Sequence, residues 1–111
     1  MRSSRERDLN MFKETMRRLG KVTNGVFDEI DMRRRKGETE VTISRDIWNK
    51  LPNKVIKSFA TFFHIYLIVK HKHHRAIDVR AHKITGHNDH GIIFSMRNDV
   101  GGKGWFNNGS Y

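Results

Sequence analysis

The sequence predicts a single α+β domain in which N-terminal helices pack on one face of a small antiparallel sheet of three or four strands. Apolar residues recur at steps of three and four over residues 4–19, which is the helical period. Apolar and polar residues alternate in RAIDVRAHKI (75–84) and GIIFSMR (91–97), which is the strand period. A chain of 111 residues suffices for one core but not for two. We therefore assign one domain to 1–98 and a flexible Gly/Asn-rich tail to 99–111.

The first helix is predicted over residues 4–19. Ser3 and Glu6 have the spacing of a capping box, in which the two side chains satisfy backbone N–H groups at the helix start. Gly20 then supplies a stop. The apolar residues that share one side of this helix are Leu9, Phe12, Met16 and Leu19.

A second helix is predicted over residues 25–35, although the Asn-Gly pair in VTNGVF is also a turn signal. The basic run RRRK with Gly37 then indicates a helix end and a turn. In EVTIS the alternation of Val41 and Ile43 indicates a short strand. Ser44 has the chemistry of an N-cap for a helix in RDIWNKL, which Pro52 ends.

The stretch 54–71 fits two predictions. Asn53 can cap a helix with an apolar side, after which HIYLIVK is rich in the β-branched and aromatic residues typical of strands. We take a helix followed by a strand over 64–71. Because no Gly or Pro marks the change, one buried helix over 54–71 stays open as the alternative. Between the later strands, TGHNDHG (85–91) has turn chemistry.

Composition indicates a polyanionic partner. Twenty-two Lys and Arg against twelve Asp and Glu give a net charge of +10, hence a positive potential over much of a small domain. The chain has no cysteine, which excludes disulfides and thiolate zinc sites. The charged start MRSSRERDLN lacks the apolar run of a signal peptide, and the longest apolar stretch is shorter than the roughly 20 residues that span a bilayer. We expect a cytoplasmic protein, in its own cell or in the host of a virus, with nucleoid association open and no membrane partner.

The predicted sheet has an apolar face that meets the helices and a basic face that does not. Phe94 belongs to the apolar face and Arg97 to the basic one, while KHKHHR (70–75) forms a basic hairpin tip. This surface predicts binding of DNA or RNA, mainly through phosphate contacts. The predicted contact residues are Arg33, Arg34, Arg35, Lys36, Tyr66, Lys70, Lys72, His73, His74, Arg75, Arg80, His82, Arg97, Lys103 and Trp105.

Two alternative functions stay open. A metal-independent endoribonuclease needs a base, an acid and cations at the phosphate, for which His64, His82 and Arg80 are the candidates. A histidine-bearing basic sheet backed by helices resembles the layout of small ribonuclease toxins. The other alternative is a small phage or mobile-element protein that binds an acidic host protein. No spacing of a known metal site occurs, so we predict no metal and no cofactor.

Overall fold

Residues 4–71 and 82–96 are described in the computed structural model of the chain, where they form helices packed with an antiparallel sheet. The predicted α+β class and the antiparallel sheet are confirmed. In chain order the elements are α1 (Ser4–Arg35), β1 (Glu40–Ser44), α2 (Arg45–Trp48), α3 (Asn53–Lys57), α4 (Phe59–His71), β2 (His82–Asn88) and β3 (Gly91–Met96).

Helix α1 is two helical segments joined at a kink. Gly20 has φ 92° and ψ 171°, which interrupts the helix where the sequence predicts a stop. Asn24 donates hydrogen bonds from Nδ2 to the carbonyls of Met16 (2.8 Å) and Gly20 (2.9 Å). The Met16 carbonyl belongs to the last turn before the kink, so this side chain links the two segments. The second segment therefore begins before residue 25, and the Asn-Gly pair is helical rather than a turn.

The sheet has the order β1-β3-β2, so β3 is central and pairs with both neighbours in antiparallel fashion. Strands β1 and β3 lie where EVTIS and GIIFSM predict them. Val41 is paired with Phe94, and Ile43 with Ile92. The register of β2 shifts between Ile84 and Gly86.

Gly91 is required at the point where β3 starts beside β1. A Cβ atom at this position would lie 2.0 Å from the carbonyl oxygen of Ile43, and the backbone has φ 150°. No L-amino acid with a side chain fits both constraints without backbone movement.

The core lies between the helices and one face of the sheet. Phe27 from α1 meets Phe59 and Phe63 from α4 with ring centroids 5.2 and 5.6 Å apart. Phe94 from β3 contacts both α4 rings edge-to-face at 5.0 and 5.5 Å, which are favourable distances for aromatic pairs. The prediction that Phe94 points inward is confirmed, since the residue is fully buried.

The strand predicted over 64–71 is wrong. Residues 59–71 form helix α4, and a separate short helix, α3, precedes it with Ser58 in a non-helical conformation between them. The open alternative of one helix over 54–71 is therefore close to what the structure has. Phe63, Tyr66 and Leu67 are buried. A helix that is buried on most sides has no polar stripe in its sequence. Its β-branched residues then give the segment the composition typical of a strand.

The predicted turn over 85–91 is also mostly wrong. Strand β2 continues through Asn88, and only Asp89 and His90 form the turn. The strand predicted over 75–84 overlaps β2 at residues 82–84, and the remainder of it lies outside the described residues, as do Ser3 of the capping box and the tail 99–111. Within the described ranges, no helix is long and apolar enough to cross a membrane.

Candidate nucleic-acid interface

Three exposed lysines surround the connection between α2 and α3. We call Lys50, Lys54 and Lys57 the basic corner. Lys50 lies in the turn after α2, where its N–H donates to the carbonyl of Ile47 at 3.0 Å. Lys54 and Lys57 are three residues apart on α3, a spacing that places side chains on neighbouring positions of a helix surface.

Local sequence fixes the backbone of the basic corner. The Ser44 hydroxyl accepts a hydrogen bond from the Ile47 N–H at 3.3 Å and caps α2, as predicted. Pro52 has φ −61° and precedes α3, so the next helix can begin directly after it. Leu51 and Val55 are buried beneath the corner. The lysines are thus carried on backbone that the core holds in place.

The charge of the basic corner is not neutralised by nearby sequence. No acidic residue occurs between Asp46 and Asp78. Among the ion pairs of the described residues, none involves Lys50, Lys54 or Lys57. Cations without carboxylate partners are the ones that can exchange counterions for phosphates.

The predicted contacts at the end of α1 are in a different situation, because carboxylates occupy their guanidinium groups. Arg33 lies 2.7 Å from the Glu29 carboxylate and 3.4 Å from that of Glu38. Arg34 is only 11 % exposed at its side chain and donates to Asp31 at 2.9 Å. Lys36 is exposed. Only part of this basic run is therefore available to a ligand.

Asp31 is the centre of an ion-pair network between α1 and α4. Its carboxylate is fully buried and lies 2.7 Å from Nε2 of His71 and 3.4 Å from Nε of Arg35, in addition to the Arg34 contact. Burial alone would raise the pKa of Asp31, but hydrogen bonds from His71 and Arg34 outweigh it and lower the pKa below its usual value. The carboxylate is therefore held ionised inside the domain.

Tyr66 and Lys70 also serve the contact between α1 and α4. The Tyr66 hydroxyl donates to Oδ1 of Asp28, and Nζ of Lys70 lies 3.6 Å from the same oxygen. Burial, together with the Asp28 carboxylate, raises the pKa of Tyr66. Tyr66 is only 5 % exposed, so its predicted position on an exposed sheet face is wrong.

His82 is likewise not on an exposed face. It is 5 % exposed, and its ring lies 5.5 Å from the ring of Phe63 and 6.3 Å from that of Phe94. The cause is register, since His82 pairs with the buried Met96 and shares its face of the sheet. His64, the other candidate catalytic residue, is half-buried on α4 rather than on a strand.

The remaining predicted contacts have no described placement. These are Lys72, His73, His74, Arg75, Arg80, Arg97, Lys103 and Trp105. Residues 72–75 directly follow the end of α4 at His71. Of the predicted hairpin tip (70–75), the described residues Lys70 and His71 lie in helix α4 and not in a strand.

Sequence reasoning missed the basic corner and the residues of the Asp31 network. The signal for the corner was available as the long interval without acidic residues. In the described parts of the chain, no group of three or more histidine, aspartate or glutamate side chains is arranged to hold a metal ion. Comparison of the chain with protein-family models, with curated proteins and with solved structures finds no match.

Proposed function

We propose that the protein binds nucleic acid through phosphate contacts, with the basic corner as part of the contact surface. The observation that carries this proposal is the presence of three exposed lysines that have no ion-pair partner among the described residues, in a chain of net charge +10. Such cations attract a polyanion and release its condensed counterions on contact. Lys36 is exposed and stays a predicted contact, as do 72–75, Arg80 and Arg97, which lie outside the described residues.

Two of the predicted contact residues are not part of the proposed surface. Tyr66 and His82 are both buried, so neither presents a side chain to a phosphate without a change in the fold. Arg33 and Arg34 contribute less than their number implies, because a phosphate would have to displace carboxylates that already hold them. The proposed surface is accordingly centred on lysines, which suits non-specific binding more than base recognition.

The test compares two variants that lose the same charge. One replaces the basic corner (Lys50→Gln, Lys54→Gln, Lys57→Gln), and the other replaces three ion-paired arginines (Arg17→Gln, Arg18→Gln, Arg33→Gln). Fluorescence anisotropy with labelled single-stranded and duplex DNA and RNA gives the affinity of each. We expect the first variant to lower the slope of log affinity against log salt by about 2 to 3, since each phosphate contact contributes about 0.9 on duplex DNA.

The paired-arginine variant is expected to change the slope less, because Glu14, Glu29 and Glu38 are left without their partners but no free cation is removed. Equal losses in the two variants would show that only total charge matters and would refute the basic corner as a contact surface. Binding that does not weaken between about 50 and 200 mM salt would refute the proposal as a whole.

The same samples test the ribonuclease alternative. His82 is buried beside the rings of Phe63 and Phe94 and not on the solvent-exposed surface that a catalytic histidine would need, which supports binding over cleavage. We expect labelled RNA to remain intact with chelator present or absent. Chelator-resistant cleavage that is lost in His64→Ala with binding retained would promote the ribonuclease to the first choice.

A further inference from the structure

A groove runs along the free edge of the sheet. It has a volume of about 470 Å³ and lies between the second segment of α1 and strand β1. Its base contains Ile30, Val41 and Ile43, all of which are buried. Val22 and Ile47 line it as well and are exposed to 46 % and 40 % of their surface. The groove is thus apolar and open to solvent.

One wall of the groove is unpaired strand backbone. The Met96 N–H donates to the Thr39 carbonyl at 2.8 Å, which makes these two residues a hydrogen-bonded pair of the antiparallel ladder. Pairs alternate, so the N–H and C=O of Val41 point to β3 while those of Thr42 point the other way. Thr42 lines the groove and belongs to an edge strand.

Within the described residues, no backbone hydrogen bond outside the ladder uses the N–H or C=O of Thr42. An edge strand with free backbone groups beside apolar side chains is the arrangement that proteins use to bind an extended peptide as an added strand. The backbone supplies the hydrogen bonds, and the apolar walls accept alternate side chains of the peptide.

The charge of the groove lining distinguishes between an acidic partner and a second copy of the chain. Lys21 lines the groove and has no ion-pair partner among the described residues, whereas the two other charged residues of the lining, Glu29 and Arg33, are paired with each other. A second copy of the chain would bring another +10 to the same place. Electrostatic complementarity therefore favours an acidic partner and opposes self-association.

We propose that the β1 edge groove binds an extended acidic peptide segment of another protein, with apolar side chains at alternate positions, as an additional strand beside β1. None of the three lysines of the basic corner lines the groove, so, if the proposed function holds, this small domain connects an acidic protein to a nucleic acid. The segment pairs with the backbone of Thr42 and places carboxylates near Lys21.

The probe is a seven-residue peptide of alternating valine and aspartate with blocked termini, compared with the same peptide carrying lysine for aspartate. Binding is measured by NMR titration and by hydrogen exchange of the Thr42 amide. We expect the acidic peptide to slow exchange at Thr42 and to bind at least about tenfold more tightly than the basic peptide, the equivalent of one or two favourable charge contacts.

Two variants separate the groove from the rest of the surface. Val22→Asp places a charge in the groove and should weaken peptide binding by about tenfold or more, whereas Met11→Asp makes the same change at another exposed position of α1 and should not. Thr42→Pro removes the outward N–H without removing a ladder bond and should also weaken binding. If the proline variant does not fold, the comparison of Val22→Asp with Met11→Asp still tests whether the peptide binds in the groove.

Three results would overturn the proposal. The first is equal binding of the acidic and basic peptides, or binding of neither. The second is protection of the Thr42 amide that rises with protein concentration and accompanies a dimer in sedimentation, which would assign the groove to a second copy. The third is a loss of nucleic-acid affinity in Val22→Asp but not in Met11→Asp, which would assign the groove to the nucleic acid.

Discussion

The end of α1 and the basic corner are both rich in cations, yet they use them in opposite ways. At the end of α1, Arg33, Arg34 and Arg35 each have a carboxylate within 3.4 Å. At the basic corner, the described structure gives Lys50, Lys54 and Lys57 no ion-pair partner. The cations of the first set are held by carboxylates of α1 itself or of Glu38 just after it, whereas those of the second are available to a ligand outside the molecule.

This difference shows that the number of cations in a run does not measure the charge available to a ligand. RRRK is the densest basic run among the residues described, and most of its charge is balanced by acidic residues on the same helix or just after it. The lysines of the basic corner are more widely spaced in sequence and carry more free charge. The contrast makes separate predictions for stability and for binding.

The largest expected effect on stability is at the end of α1, where the cations are ion-paired. Asp31→Ala should lower the free energy of unfolding by about 3–5 kcal/mol, because it leaves Arg34, whose side chain is only 11 % exposed, without its carboxylate. Asp8→Ala, which removes an exposed carboxylate of the same helix, should change it by no more than about 0.5 kcal/mol. Urea denaturation measures both, and equal costs would remove the distinction between the two regions.

The pH dependence of stability tests whether the Asp31 carboxylate contributes in its ionised form. The pKa of Asp31 is lower in the folded than in the unfolded state, so its contribution is complete above its usual pKa near 4 and is lost as pH falls through the folded-state value. The stability difference between the native protein and Asp31→Asn should thus be largest at neutral pH and shrink on acidification below about pH 4. A difference that stays constant down to about pH 3 would mean that folding does not lower the pKa of Asp31.

A smaller effect is expected at the neighbouring contact between Tyr66 and Asp28. Tyr66→Phe should cost about 0.5–1.5 kcal/mol, because one hydrogen bond is lost while the Asp28 side chain, 56 % exposed, can turn to water. Repeating the substitution in an Asp28→Asn background gives the coupling energy of the pair. Coupling near zero would show that this contact does not help to join α1 and α4.

The smallest effect on stability belongs to the basic corner. Replacing Lys50, Lys54 and Lys57 together by glutamine should leave the free energy of unfolding within about 0.5 kcal/mol of the native value, or raise it slightly by removing like charges. Thermal denaturation of this variant is also the control for its loss of nucleic-acid binding. A loss as large as that of Asp31→Ala would place the corner on the structural side of the comparison.

Local patterns in the sequence predicted the elements whose signal is local. Four such predictions are confirmed, and each depends on residues within a few positions of one another. They are the helix stop at Gly20, the strand EVTIS, the Ser44 cap and the inward-facing side of β3. The pairing of Glu29 with Arg33 follows the i,i+4 rule in the same way.

The predictions were wrong where the structure of a segment depends on contacts with distant parts of the chain. HIYLIVK is helical because α1 and the sheet cover several of its sides, which overrides the strand preference of its residues. Tyr66 and Asp28 are 38 positions apart, and His71 and Asp31 are 40, so no spacing rule connects them. His82 was placed on the wrong face because the register of β2 is set by its pairing with β3.

The kink at Gly20 has a consequence for handedness. Its backbone, at φ 92° and ψ 171°, is the mirror image of an ordinary extended L-residue. Apart from its two chain neighbours and the backbone of its own helix, no atom of the described residues lies within 4 Å of a Cβ built there. Space therefore does not restrict this position, whereas chirality does. D-alanine, introduced by chemical synthesis, would adopt the kink without strain and reduce the freedom of the unfolded chain, while L-alanine would pull the two segments toward a straight rod. Two molecules of identical composition would thus differ in the direction of their first helix through the configuration of a single carbon atom.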